Sequence, residues 1–456
     1  MVRAINKTIN QTINQTVNQT ITQTIDKKKA WATLIACMLI SLLGTAGIAL
    51  PYPVLAPYFL DSPPNALNQF MSINPKLLLG IALALYPLGL LIGSSFIGAL
   101  SDHYGRRLVL LITLVGSILG YLLTAFAIFE ESYLLFLFAR LMTGICEGNI
   151  SIARAMAVEL HPAIDRARAL SLVYATTYSG WLLGPLAGGY LMLISTEVVF
   201  FAAAGAMVVC MIVVMLTIKD SKQSELAKGS LLKAINQENS FRLLKHPDVR
   251  PIFIFYFIYS LGINTFYEFY PVWFVEKHRF ASNDIAWITV LLTATMIFSS
   301  VLVSSHIVKI LGNFKSLILS VVLLGALMLV QPFISLTTIY FLFSAMGFLI
   351  ALNNTVTPTY MSQRFGKYGQ GKVMGLQTAM FCLTNVIVSL LGSLLAILSI
   401  TATMMMAGIL VLISIIWFIS FTHKQSSKES NREMDETEYS TEETLEERPN
   451  EVSVQT

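Results

Sequence analysis

The chain has 456 residues, 55% hydrophobic and only 12% charged, a balance outside the globular norm that points to a polytopic membrane protein. Its formal charge of +4 is no footprint of nucleic-acid binding, because ten of the 26 acidic residues lie after His423 and offset a more basic remainder. Cys37, Cys146, Cys210 and Cys382 all sit in apolar runs without metal spacing, and the six histidines form no metal or Ser/His/Asp pattern. No metal, bound cofactor or enzyme activity is therefore expected.

Residues 1–29 open with a period-four polar repeat, Thr8-Ile9-Asn10-Gln11, Thr12-Ile13-Asn14-Gln15, Thr16-Val17-Asn18-Gln19. Such a tract cannot bury a core and is expected to be disordered. Lys27, Lys28 and Lys29 then mark a cytoplasmic boundary. The tract lacks the apolar core of a cleavable signal, so the first span is expected to insert itself.

Twelve apolar spans follow, at 31–59, 77–97, 108–129, 133–159, 168–194, 198–218, 251–275, 285–310, 315–334, 337–361, 372–399 and 401–421. Lys and Arg concentrate in alternate connections, which places both termini in the cytoplasm. The opposite connections carry only Lys76, Lys277 and Arg279. A basic linker, 219–250, divides six spans (30–218) from six (251–421), and an acidic tail, 422–456, is expected to be disordered. The fold class is all-α integral membrane, with two pseudo-symmetric six-helix halves. A monomer surrounded by lipid in the cell membrane is expected, the inner membrane if the source is Gram-negative.

Between the second and third spans runs Gly98-Ala-Leu-Ser-Asp102-His103-Tyr-Gly105-Arg106-Arg107. Gly98 permits close helix packing, and Gly105 permits a backbone turn that a Cβ would oppose. This loop resembles the signature of the major facilitator superfamily, Gly-x-x-x-Asp-(Arg/Lys)-x-Gly-Arg-(Arg/Lys), with His103 in place of a stronger base. A weaker copy, Ser305…Lys309…Gly312, lies 207 residues further on without the acid. The resemblance implies that Asp102 and Arg106 join Glu159, at the inner end of the fourth span, in a conformational latch.

The fourth span holds Arg140, Glu147 and Arg154 at spacing seven, one stripe of a continuous helix, with Glu147 near the bilayer midplane. Ionisable groups at that depth face a cavity or a partner. Arg140-Leu-Met-Thr-Gly144 is similar to the family's fourth-helix motif, whose arginine is associated with proton transfer. That makes Glu147 and Arg140 the candidates for proton coupling. A structural Arg–Glu cluster is the other reading.

In the fifth span, Gly180-Trp-Leu-Leu-Gly184-Pro185-Leu-Ala-Gly188-Gly189 resembles the motif of the family's drug:proton antiporters. Physically it offers a flat packing face and a bend. The first span, Gly47-Ile-Ala-Leu-Pro51-Tyr-Pro53, resembles that of tetracycline-efflux-like members but lacks their intramembrane acid. Glu268 in the seventh span, with Tyr267 and Tyr270, is a candidate substrate contact. Asn264, Asn353 and Gln377 are either cavity lining or interhelical glue.

The resemblance implies an exporter of small amphipathic organic molecules that draws on a proton gradient. Export of an endogenous metabolite such as a siderophore, nutrient import, and a non-transporting sensor remain open at this point.

Overall fold

A helix crossing a bilayer satisfies every backbone hydrogen bond within itself, so a chain of apolar runs has little choice but to become a helical bundle. A computed structural model describes residues 27–218, 240–368 and 370–421. The repeat tract, most of the linker and the acidic tail lie outside these residues.

Helices occupy every expected span. In chain order they are α1 (Lys27–Leu60), α2 (Pro75–Tyr104), α3 (Arg106–Phe129), α4 (Tyr133–Glu159), α5 (Arg166–Leu191) and α6 (Thr196–Thr217). The second half contributes α7 (Arg250–His278), α8 (Ser282–Phe298), α9 (Ser304–Val330), α10 (Leu336–Phe365), α11 (Gln370–Leu398) and α12 (Ile400–Phe421). Among the described residues, ten helices are by themselves long and apolar enough to cross a membrane. The other two have identifiable reasons. Helix α5 is diluted by its glycines, threonines and terminal arginines, and α8 is cut short at Phe298 by a π-helical turn, Ser299–Val303.

Several helices are broken, and each break has a chemical cause. Pro51 interrupts α1 and starts its second piece, Tyr52–Leu60. Helix α4 stops at Cys146 and restarts at Asn149, with Glu147 and Gly148 in the turn between. Gly105 and Gly312 are the two glycines with positive φ, at +97° and +76° among the described residues. They fall at matching places in the two halves, so the weak sequence repeat corresponds to a shared backbone turn.

The packing follows the same two-fold logic. Within the halves α2 packs on α4 and α3 on α4, matched by α8 on α10 and α9 on α10. Between the halves α2 meets α11, and α5 meets α8. The outer face of α3 presents Leu108, Ile112, Leu119 and Phe126, all exposed, whereas Thr113, Ser117, Gly120 and Tyr121 are buried. Apolar residues outward and small or polar residues inward is the arrangement a lipid solvent favours.

The halves are joined at one end of the bundle. Lys76 at the start of α2 lies 2.8 Å from the Glu276 carboxylate of α7 and donates to the Ala396 carbonyl of α11 at 2.6 Å. Trp287 donates to the Tyr190 hydroxyl at 3.0 Å. Toward the other end, the Arg106 end, a cavity separates the halves.

Candidate functional site

The cavity has a volume of ≈ 300 Å³. One wall comes from α1, α2, α4 and α5, and the other from Glu268 of α7 with Phe381, Cys382 and Asn385 of α11. It reaches Ser94 and Arg154 on the way to the Arg106 end.

Close glycine contacts build the first wall. A Cβ on Gly144 would lie 2.2 Å from the Tyr86 carbonyl oxygen, so glycine there lets α4 touch the α2 backbone. That contact sets the Tyr86 hydroxyl against Glu147. Tyr86 and Tyr121 donate to the two carboxylate oxygens of Glu147, which is 2% exposed. Arg140, equally buried, lays its guanidinium 4.7 Å from the centroid of the Tyr86 ring.

Arg140, Glu147 and Arg154 all line the cavity, although a turn at Glu147–Gly148 interrupts the helix that carries them. Among the described residues Arg140 and Glu147 make no direct ion pair; Tyr86 stands between them. Arg154 lies instead over the Tyr174 ring, at 4.8 Å.

The fifth-span motif is a contact surface on α1. Added Cβ atoms at Gly180, Gly184 and Gly188 would fall 2.6, 2.6 and 2.0 Å from the carbonyl oxygens of Leu42, Ala46 and Leu50. Gly189 faces the other half, against Ala286 and Ser282 of α8. Pro185 lies inside α5 between these contacts. The motif therefore holds the Pro51 break, and with it Tyr52, at the cavity; Tyr52 packs edge-on to Trp181 at 5.4 Å.

At the Arg106 end, Arg106 reaches Glu159 at 2.8 Å and donates to the Ser101 hydroxyl at 2.6 Å. Arg107 donates to the Met215 carbonyl of α6 at 3.4 Å. The surroundings of Gly98 and the side chain of Asp102 lie outside the described residues.

Of the candidate substrate contacts, Glu268 lines the cavity. It is 4% exposed, and its Oε2 accepts from Ser389 at 2.6 Å. Tyr270 shares a hydrogen bond with Thr289 at 2.6 Å, and Tyr267 points its hydroxyl at the Met296 sulfur, 3.8 Å away. Asn264 staples α7 to α11, donating to Phe381 O and Thr384 Oγ1. Asn353 is buried and accepts from Thr357. In this conformation those four residues and Gln377 stand off the cavity wall.

Sequence reasoning missed Tyr86, Tyr121, Ser389 and Lys76. The first two had a usable signal, since a phenol in mid-span of an apolar run needs a polar partner. Ser389 and Lys76 gave none, because their partners are 121 and 200 positions away in the chain.

A broken-helix membrane bundle of two packed halves around a midplane cavity with buried charges is the architecture of secondary transporters. The family model of the Major Facilitator Superfamily matches residues 34–281 and 252–450, and the chain belongs to that family. The chain is 31% identical over 221 residues to the class B tetracycline resistance protein of Escherichia coli, covering 48% of this chain and 52% of that protein. It thus spans about half the length of such tetracycline resistance relatives. It is 23% identical to multidrug resistance protein 2 of Bacillus subtilis (strain 168), over 86% of this chain and 94% of that one. A solved structure of a D-xylose-proton symporter superposes with a TM-score of 0.66 at 17% identity, covering 86% and 97% of the two chains, which speaks to the fold alone.

Proposed function

We propose that the chain is a secondary transporter that exports small amphipathic organic compounds, driven by protons and working by alternating access. The observation that carries this reading is the inter-half cavity. Its walls are mostly apolar and aromatic, yet two acids, Glu147 and Glu268, and one buried cation, Arg140, face it. An apolar pocket with a few placed polar groups suits an amphipathic ligand, and an acid kept in such a pocket has the means to hold and release a proton.

Glu147 is the proton carrier in this account. Its two tyrosine donors hold both oxygens in place, and Tyr86 is the member of the pair that also lines the cavity. Arg140 acts on Glu147 through Tyr86. The Lys76–Glu276 contact closes one end, which the distribution of positive charge puts outside, and the cavity faces the cytoplasmic end from which an exporter loads. Separation of Arg106 from Glu159, with Asp102, accompanies the switch between the two states. The names of the tetracycline and multidrug resistance relatives support export over import.

The test is transport in everted membrane vesicles from cells expressing the chain. A fluorescent amphipath should accumulate when a proton gradient is imposed and leak out when a protonophore collapses it. Accumulation that ignores the gradient, or movement only in the opposite direction, would rule the proposal out.

A further inference from the structure

Arg140 is a buried guanidinium inside a membrane-spanning helix for which, among the described residues, no hydrogen-bond acceptor or ion-pair partner exists. It is 5% exposed, lines the cavity, lies over the face of Tyr86, and its Nε is buried without a hydrogen-bond partner. A buried cation without an acceptor is costly unless something else supplies one. The same wall carries more unused donors. Helix α4 restarts at Asn149, and its eleven-residue second piece begins with an N-terminus at the cavity. The backbone N–H of Gly148, in the turn before that restart, donates to no backbone acceptor among the described residues. Gly148, Ile150 and Ser151 line the cavity beside Thr45, whose hydroxyl is buried and unpartnered. A helix N-terminus with an adjacent free guanidinium is an anion site in charge and in hydrogen-bonding capacity.

The opposite wall has the reverse polarity. Glu268 spends one oxygen on Ser389, while its Oε1 is buried without a partner. No cation among the described residues pairs with it. Tyr52 and Trp181, in edge contact, line the same cavity as Arg140 and Glu268.

We propose that the cavity takes a zwitterionic amphipath. Its carboxylate docks on Arg140 and the α4 restart, its ammonium on Glu268, and its apolar body on Tyr52 and Trp181. This rests on the cavity being the substrate site. It goes further by fixing the charge pattern of the substrate and by making Arg140 a direct substrate ligand.

The experiment measures equilibrium binding to the purified full chain in lipid nanodiscs, by fluorescence titration with three probes on one dansyl body. Nα-dansyl-lysine carries both charges, dansylcadaverine only the ammonium, and dansyl-norleucine only the carboxylate. The wild type should bind the zwitterion at least about tenfold more tightly than either analogue, tenfold being about 1.4 kcal/mol. Arg140→Gln should bring the zwitterion down to the level of dansylcadaverine and leave dansylcadaverine itself unchanged. Glu268→Gln should do the same relative to dansyl-norleucine. Arg140→Lys keeps the charge and should recover part of the preference, and Thr45→Val removes a hydroxyl donor with little change of volume and should weaken only the carboxylate-bearing probes. Equal binding of the three probes, preference for a singly charged probe, no binding of any, or retained preference in folded Arg140→Gln would each overturn the proposal. Because no gradient is applied, preference for the zwitterion without proton-driven transport would leave this site standing while refuting the proposed function.

Discussion

Replacing Lys76 by alanine removes the main polar tie between the two halves at the closed end. Its ammonium contacts Glu276 at 2.8 Å and the Ala396 carbonyl at 2.6 Å, with the two charged side chains 16% and 28% exposed. A fully exposed pair contributes about 0.2–1 kcal/mol, and loss of one partner from a fully buried pair costs about 3–5 kcal/mol. This partly covered pair with an added carbonyl acceptor falls between, at about 2 kcal/mol, in line with a charge-assisted hydrogen bond. The contact exists only while that end is shut, so the whole amount shifts the open–closed equilibrium, by about 30-fold at 1.4 kcal/mol per decade. The assay is the labelling rate of a cysteine placed at Leu55 on the cavity wall, in a background lacking the four native cysteines, with a membrane-impermeant thiol reagent added outside. Lys76→Ala should raise that rate by about 30-fold, and the charge-swapped pair Lys76→Glu with Glu276→Lys should return it most of the way. An unchanged rate in Lys76→Ala would show that apolar contacts such as Gly189 on Ala286 hold the end shut.

Three other outcomes follow from the packing and the charges. Gly188→Ala places a methyl group 2.0 Å from the Leu50 carbonyl oxygen, so α5 and α1 must separate; overpacking of this kind costs about 1–3 kcal/mol and should appear as a lower melting temperature in detergent. Arg106→Ala should slow transport with membrane abundance near normal, while Glu159→Ala, losing a side chain that is 54% exposed, should have the smaller effect; equal rates in Arg106→Ala and wild type would reduce the loop to a topology signal. Deleting residues 1–24 and 430–456 should leave substrate movement intact in vesicles, since such compositions cannot build a packed core.

Much of this architecture is legible in the residues because a bilayer leaves few alternatives. Apolar length gave the spans, Lys and Arg asymmetry gave the expected orientation, and glycine spacing identified α5 and the loop at Gly105. The match of Gly105 with Gly312 needed only alignment of the two halves, and both glycines prove to have positive φ. What sequence could not supply is register between helices. The seven-residue spacing brings Arg140, Glu147 and Arg154 to one cavity, but it gives no sign of the turn at Glu147–Gly148. A Cβ on Gly148 would meet Ile97 at 2.6 Å, a requirement set by the neighbouring helix and invisible in the local sequence. Likewise Asn264 and Glu268, four apart on one helix, differ in role only because α11 offers Thr384 to the first and Ser389 plus the cavity to the second.

The central claim is that Glu147 carries the coupled proton. Glu147→Gln keeps the shape of the protonated carboxyl and the contacts with Tyr86 and Tyr121, so the protein should fold and bind substrate. Proton flux and substrate flux, measured together in reconstituted vesicles, test the claim directly. The account predicts that Glu147→Gln abolishes proton movement with substrate and leaves only downhill substrate exchange. Proton movement at the wild-type ratio in that variant would contradict it and pass the role to Glu268.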